Sequence, residues 1–308
     1  MTAAPRLTLG PVLFHWPAER LVDFYSRIAD EAPVDIVYLG EIVCSKRAPF
    51  VEPVLPDIIE RLQRGGKTVV LSSRALVMTD RESRMVADQI AAARAMALQV
   101  EVNDIGALRE LAPDPHVVGP FINVYNESTL AWLARQNATR ICLPPELPGD
   151  AITLLAAASP VPLEIFSFGR LPLAISARCF HARAHGLHKD SCRYTCGNDP
   201  DGRTVHTLDG EAFLAINGTQ TMSQTCLDLS GVILDLFARG IGHFRLSPQN
   251  MDMVAVAGLY RQLIYGQIGP EEVQDGLSRL ANGLTFSNGF IHGREGRAMI
   301  AARLGDPH

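Results

Sequence analysis

Cysteines are the residues of this chain whose type and spacing best suit chemistry. Cys179, Cys192 and Cys196 lie close together, with 12 and then three residues between them, and Cys44 lies far upstream. Four thiolates drawn from two places in a chain form the soft ligand set that an iron–sulfur cluster uses. The spacing differs from the paired Cys-x₂-Cys knuckles of common zinc modules and from a ferredoxin run. The pattern favours an iron–sulfur cluster, with zinc or no metal as the alternatives.

The two other cysteines are predicted to be structural. Cys142 falls within a predicted strand and Cys226 at the start of an apolar helical segment, and buried thiols are common in protein cores. Loop histidines offer an alternative zinc ligand set, although such residues more often contact solvent or support the ligands: His181, His185 and His188. Five cations near the ligands would offset the negative charge of a thiolate-bound cluster, or are ordinary surface charge: Lys46, Arg47, Arg170, Arg178 and Lys189.

The elements that position these residues alternate between short apolar runs and helical patterns. The apolar runs predict eight strands: Leu7–Phe14, Val34–Gly40, Thr68–Leu71, Val100–Asn103, Val117–Asn123, Arg140–Leu143, Leu163–Phe168 and His243–Leu246. Helices are predicted between them: Pro17–Ala29, Pro56–Gln63, Arg81–Ala97, Ile105–Leu111, Ser128–Arg135, Asp150–Ala158 and Leu227–Ala238. This order predicts an α/β fold of the (β/α)₈ TIM-barrel type, with a doubly wound sheet as the alternative.

Two regions interrupt the alternation within what is otherwise one domain over 1–308. Arg170–Ser223 is predicted to be a Cys-rich insertion after the seventh strand, irregular over Arg170–Pro200 and then a hairpin over Thr204–Thr221. Pro270–His308 is predicted to be a helical tail. Loops that follow the strands of a parallel barrel emerge at one face, so Cys44 and the trio are expected to meet there.

Composition limits the class of protein. The chain has 308 residues, a net charge of −5 and no basic run, so no nucleic-acid surface is indicated. The segment Met1–Trp16 does not fit a signal peptide, and no stretch approaches the roughly 20 apolar residues of a membrane span. We therefore expect a cytoplasmic protein with reduced thiols.

Polar residues at the predicted strand ends form a second candidate site. At the barrel mouth they would orient a small polar or anionic ligand, although turn capping explains such residues equally well. The candidate pocket consists of Glu41, Asn123, Tyr125, Glu164 and Arg170.

The cysteine segments also carry a family resemblance. The run Tyr38-Leu-Gly-Glu-Ile-Val-Cys44-Ser-Lys-Arg47 resembles the family first named for collagenase-like peptidases. The runs Phe168-Gly-Arg-Leu-Pro-Leu-Ala174, Ser176-Ala-Arg-Cys179 and Lys189-Asp-Ser-Cys192, followed by Cys196, resemble its UbiV branch. The similarity extends over most of the chain. It implies a 4Fe–4S cluster bound by Cys44, Cys179, Cys192 and Cys196.

The resemblance also implies a function and partners. It implies an iron–sulfur subunit that forms a heterodimer with a homologous UbiU-like protein and takes part in oxygen-independent hydroxylation of the ubiquinone precursor ring. Prephenate is the implied oxygen donor, and a UbiT-like lipid carrier is the implied accessory. The alternatives are a non-catalytic cluster-bearing scaffold, or a peptidase or RNA-hydroxylation relative. Phe168 stands where those relatives commonly have histidine, which counts against the latter.

Overall fold

Short apolar segments form the inner layer of the fold. Ile36–Leu39 is typical, because all four of its side chains are buried, as suits a strand covered on both faces. In this computed structural model, which describes residues 4–301, strands β1 to β12 run in chain order over Arg6–Leu9, Ile36–Leu39, Thr68–Ser72, Gln99–Val102, His116–Val118, Ala138–Cys142, Leu163–Ile175, Arg203–His206, Ala212–Asn217, Gln220–Asp228, His243–Leu246 and Phe286–Ser287.

Amphipathic segments form the outer layer. In Leu55–Arg64, the side chains of Ile58, Ile59 and Leu62 are buried, as the helical period requires. Helices α1 to α11 run in chain order over Ala18–Glu31, Ala48–Val51, Leu55–Arg64, Asp80–Ala95, Ile105–Leu111, Glu127–Arg135, Gly149–Ala158, Phe180–Ala184, Ile233–Ala238, Met253–Ile264 and Pro270–Leu280.

Strand pairing closes the sheet into a barrel. Each strand from β1 to β6 pairs in parallel with the next, and β11 pairs in parallel with both β7 and β1. A doubly wound sheet would leave two open edges, so that alternative is wrong and the predicted (β/α)₈ barrel is confirmed. The loops after β2 and β7 consequently leave the barrel at the same face.

The barrel interior contains a buried ion-pair network. Arg245 donates from Nη2 to Glu101 at 2.6 Å and from Nε to Glu164 at 2.8 Å, and Arg140 donates from Nε to Glu164 at 2.9 Å. Both carboxylates are fully buried, and pairing offsets the cost of removing them from water. The sequence places Glu164 at the mouth, but the structure places it inside the barrel, where two arginines and the hydroxyls of Tyr38 and Thr8 bind it.

The insertion continues the sheet beyond the barrel. Strand β7 runs on to Ile175 and pairs antiparallel with β10, which pairs with β9, and β9 pairs with β8. The predicted irregular segment Arg170–Pro200 therefore begins as strand. Gly169 has φ +101°, and a Cβ atom there would lie 2.5 Å from the carbonyl oxygen of Ser247. Only glycine fits at this position, where β7 continues from the barrel into the insertion.

Two further predictions need correction. The helix predicted over Leu227–Ala238 begins at Ile233, because Leu227 and Asp228 are the last residues of β10 and pair with Gly169 and Phe168 of β7. The tail predicted over Pro270–His308 is α-helical to Leu280 and then forms β12 and a 3₁₀ turn. Its last residues, 302–308, lie outside the described part of the chain.

Candidate metal centre

The four predicted ligand cysteines line one small cavity at the carboxyl-terminal face of the barrel. Cys44 follows β2 and precedes a 3₁₀ turn, and Cys179 caps the amino-terminal end of α8. Farther along the insertion, Cys192 directly follows one short 3₁₀ turn and Cys196 lies within the next. The fold therefore brings together all four residues that the spacing singled out, from segments more than 130 positions apart.

The Cys44 loop is held by specific hydrogen bonds. One oxygen of the buried Glu41 carboxylate accepts from the backbone N–H groups of Val43 and Cys44, both at 2.9 Å. Thr219 donates to the carbonyl oxygen of Val43 at 2.7 Å. Lys46 Nζ donates to the carbonyl oxygens of Lys189 and Asp190 at 2.9 and 2.8 Å. Lys46 thus connects the Cys44 loop directly to the turn that carries Cys192.

The insertion side of the cavity is organised by Asn217. Its Nδ2 donates to the carbonyl oxygens of Cys196 and Asp199, at 3.0 and 2.9 Å. Its Oδ1 accepts from Arg47 Nη2 at 2.6 Å. The Cys179 thiol donates to the carbonyl oxygen of Gly218 at 3.2 Å. A single buried amide at the end of β9 therefore links the Cys196 turn to the Cys44 loop.

Arg47 supplies a fully buried positive charge beside the thiols. Its guanidinium bonds the carbonyl oxygen of Leu13 at 3.2 Å and lies 4.0 Å from the Glu41 carboxylate, while its Nε has no hydrogen-bond partner in the described part of the chain. Gly218 has φ +71°, and a Cβ atom there would lie 2.3 Å from Arg47 Nη2. Glycine at this position allows the guanidinium to approach the cavity wall.

Burial and charge set the protonation of the thiols. Burial raises the pKa values of Cys44, Cys179 and Cys196 above the usual range, while the positive charge of Arg47 opposes that shift at all three. The neighbouring Cys44 and Cys192 raise the pKa of Cys179 further. To hold all four cysteines as thiolates, the cavity would therefore need more positive charge than Arg47 supplies.

The spacing of the thiols can be compared with the spacing that a single metal ion would need. Within residues 4–301, the one group of three or more His, Cys, Asp or Glu ligand atoms that all lie within 4.8 Å of one another is His181, His185 and Asp199, so no three of the four sulfurs are that close. Around one tetrahedral zinc ion, sulfurs about 2.3 Å from the metal would lie about 3.8 Å apart. The wider arrangement and the all-thiolate donor set fit a polynuclear iron–sulfur centre.

Cys142 and Cys226 lie outside this cavity, in the sheet. Cys142 is fully buried at the end of β6, and Cys226 is fully buried in β10 rather than at the helix start that its sequence context indicates. Burial raises the pKa of Cys226 to about 12. Both therefore behave as small apolar side chains of the core.

The structure does not bring the candidate pocket residues together. Glu41 supports the Cys44 loop, and Glu164 is bound inside the barrel. Asn123 and Tyr125 are exposed, and the Tyr125 hydroxyl donates to Glu146. Arg170 is buried in the insertion, where it bonds the carbonyl oxygen of Ser223 at 3.0 Å. The positions of these residues at strand ends predict that they lie near the mouth of the barrel. In the structure, hydrogen bonds to other segments determine the orientation of the Tyr125, Glu164 and Arg170 side chains.

Comparisons with known proteins establish the family. The model of peptidase family U32 matches residues 18–301. The chain belongs to peptidase family U32. The resemblance to collagenase-like peptidases is thereby confirmed at the level of family U32.

Solved structures with similar folds are distant. The spore coat polysaccharide biosynthesis protein spsE of Bacillus subtilis matches 98% of this chain and 76% of its own, with 10% identity and a TM-score of 0.44. A mutant tryptophan synthase alpha-subunit from Pyrococcus furiosus matches 90% of this chain and 100% of its own, with 12% identity and a TM-score of 0.39. Such values carry no argument about function. In this U32 protein, none of the described helices combines the length and apolarity needed to cross a membrane.

Proposed function

We propose that this U32 chain is a UbiV-like iron–sulfur subunit, which acts with a UbiU-like homologous partner in oxygen-independent hydroxylation of the ubiquinone precursor ring. The proposal depends on one observation: four cysteines from two distant segments line one cavity. A 4Fe–4S cluster is bound by four cysteines. The motifs around these cysteines supply the UbiV-like resemblance. Prephenate as oxygen donor and a UbiT-like lipid carrier are parts of the same proposal.

The chain's own residues would have distinct tasks at this centre. Cys44, Cys179, Cys192 and Cys196 would hold the cluster, which when bound supplies one-electron chemistry. Arg47 offsets the negative charge of the thiolates from a buried position. Glu41 fixes the loop that presents Cys44 by binding two of its N–H groups. Four thiolate ligands saturate the irons of such a cluster, which favours electron transfer or structural support over substrate coordination.

Peptidase activity, the activity for which the family is named, finds little support. Phe168 occupies the position where peptidase and RNA-hydroxylation relatives commonly have histidine. It is fully buried and packs against Tyr260 and Phe286, with ring centroids 6.0 and 6.3 Å away. A buried phenylalanine can neither accept nor donate a proton. The chain also lacks a Gly-x-Ser-x-Gly nucleophile motif.

An anaerobic reconstitution tests the proposal. The chain and its UbiU-like partner are purified without oxygen and supplied with prephenate, a ubiquinone precursor and the UbiT-like carrier, and ring hydroxylation is measured by mass spectrometry. We expect turnover only with both proteins, and its loss with Cys179→Ala but not with the matched control Cys226→Ala. Full turnover by the partner alone would contradict a catalytic contribution of this chain. Turnover that needs the chain but survives Cys179→Ala would assign it a scaffold role without a cluster.

A further inference from the structure

A second cluster of metal-ligating side chains lies in the insertion, apart from the four cysteines. His181 and His185 are four residues apart at α8, which places both rings on one side of the helix. The rings stack with centroids 5.5 Å apart. Asp199 approaches from the end of the turn that carries Cys196, and one ligand atom from each of the three residues lies within 4.8 Å of the others.

The contacts of His181 leave one of its ring nitrogens facing a carboxylate oxygen. Its Nδ1 lies 3.3 Å from the carbonyl oxygen of Ile216, which can only accept, so Nδ1 carries hydrogen. Its Nε2 is then a lone pair, yet it lies 3.0 Å from Asp199 Oδ2, another acceptor. The His181 ring is fully buried, and its Nε2 has no hydrogen-bond partner in residues 4–301. A ring nitrogen and a carboxylate oxygen that face each other in this way are two of the donor types that bind transition-metal ions.

A histidine–aspartate pair involves only two side chains. Here a second imidazole, that of His185, also converges, and one ligand atom from each of the three residues lies within 4.8 Å of the others. Two imidazoles and one carboxylate are a common ligand set for divalent transition metals, with water in the remaining position.

We propose that His181, His185 and Asp199 bind one divalent transition-metal ion of the zinc class, separate from the four-cysteine centre. Such an ion would tie α8, which begins just after Cys179, to the turn that contains Cys196. The site is already braced, because Asn217 donates to the carbonyl oxygens of both Cys196 and Asp199. The ion would therefore stiffen the insertion that presents three of the four cysteines.

Arg203 is the competing cation at this site. Its Nη1 donates to Nε2 of His185 at 3.0 Å, so a bound metal would take the other ring nitrogen or displace the guanidinium. Removing this charge should strengthen metal binding, since a like charge at this range opposes a dication even in a partly solvated site. Arg203→Met is therefore expected to bind Zn²⁺ about fivefold or more tightly than the wild type.

Calorimetric titration with Zn²⁺ tests the proposal on protein that has been purified anaerobically with its native metal content and treated with a mild chelator. We expect one equivalent to bind, with an affinity loss of about 100-fold or more in His185→Ala and in Asp199→Asn. Both side chains reach the surface, so neither change disturbs the core. His188→Ala, in the same loop but outside the trio, is the matched control and should bind like the wild type.

Iron content, measured on the same samples, separates this site from the cysteine centre. Binding that depends on His185 and Asp199 while iron stays constant supports the proposal, whether or not the cysteines hold a cluster. Zn²⁺ binding that is abolished by Cys192→Ala and unaffected by His185→Ala would overturn it, since the ion would then occupy the thiols. Absence of Zn²⁺ binding to the wild type would overturn it too, and would leave His181 and Asp199 as a histidine–aspartate pair without a metal.

Discussion

Replacing Arg47 with methionine should destabilise the protein strongly, although methionine replaces most of the apolar stem of the side chain. Arg47 is 1% exposed, and its removal leaves the Glu41 carboxylate, 4% exposed, without its nearby cation. Breaking a buried ion pair by removing one partner costs about 3–5 kcal/mol. Glu41 keeps its two N–H donors and the carbonyl oxygen of Leu13 keeps Gln220, but Oδ1 of the buried Asn217 loses its donor, so the loss is at least the lower end of that range. We expect a loss of at least about 3 kcal/mol in the free energy of unfolding.

Urea unfolding measures this loss. For a chain of this size, about 3 kcal/mol corresponds to a fall of about 1 M in the urea midpoint. Arg64→Met is the matched control, because Arg64 is 69% exposed and pairs with Glu60 one helical turn away, where an ion pair contributes about 0.5 kcal/mol or less. Arg47→Lys keeps the positive charge but loses the several N–H donors of the guanidinium group. Its urea midpoint should therefore lie between those of the two methionine variants.

The loss should be larger in protein that carries its metal, because Arg47 also faces the thiolates, and iron should be released more readily by a chelator. Equal midpoints for Arg47→Met and Arg64→Met would refute the role of Arg47 as a buried counter-charge. An equal loss with and without metal would restrict that role to the pair with Glu41.

Two other predictions concern buried titratable groups. Burial and the Arg47 charge lower the pKa of His15 from 6.5 to about 4, so its contribution to stability is complete above pH 6.5 and is lost as the pH falls through 4. His15→Gln should therefore reduce the decline in the free energy of unfolding between pH 7 and pH 4 by about 1–3 kcal/mol, measured by urea unfolding, and an unchanged decline would contradict this. Arg245→Met should cost about 3–5 kcal/mol at pH 8, because it leaves the buried Glu101 and Glu164 without their shared cation. Since the pKa of Glu164, now held low by Arg245 and Arg140, would rise, the loss should shrink at pH 5; a pH-independent loss would exclude this explanation.

The strands of the barrel could be predicted because each one corresponds to a local pattern in the sequence. Each barrel strand is a short apolar run, and a strand such as Ile36–Leu39 can be recognised because both of its faces are buried. The meeting of Cys44 with the trio also followed from the sequence, since loops after parallel strands share one face of a barrel. The prediction of a closed, eight-stranded barrel needed no information beyond these local patterns and their order.

Features that depend on distant partners were not predictable in this way. Glu164 lies in the barrel interior because Arg245, 81 positions later, binds it, and no local signal records that pair. The segment around Cys226 and Leu227 reads equally well as a helix start or a strand, and only pairing with β7 decides in favour of the strand. The approach of Asp199 to His181 likewise follows from the fold of the insertion, where Asn217 holds the Asp199 carbonyl.

Iron and acid-labile sulfide per chain, measured under anaerobic conditions on single cysteine variants, show whether the four cysteines hold one cluster. We expect about four irons and four sulfides in the wild type. We also expect that Cys142→Ala and Cys226→Ala retain them, and that Cys44→Ala, Cys179→Ala, Cys192→Ala and Cys196→Ala each lose most of them. A full iron and sulfide complement in Cys44→Ala, the variant of the ligand contributed from the distant segment, would contradict the binding of one cluster by these four cysteines.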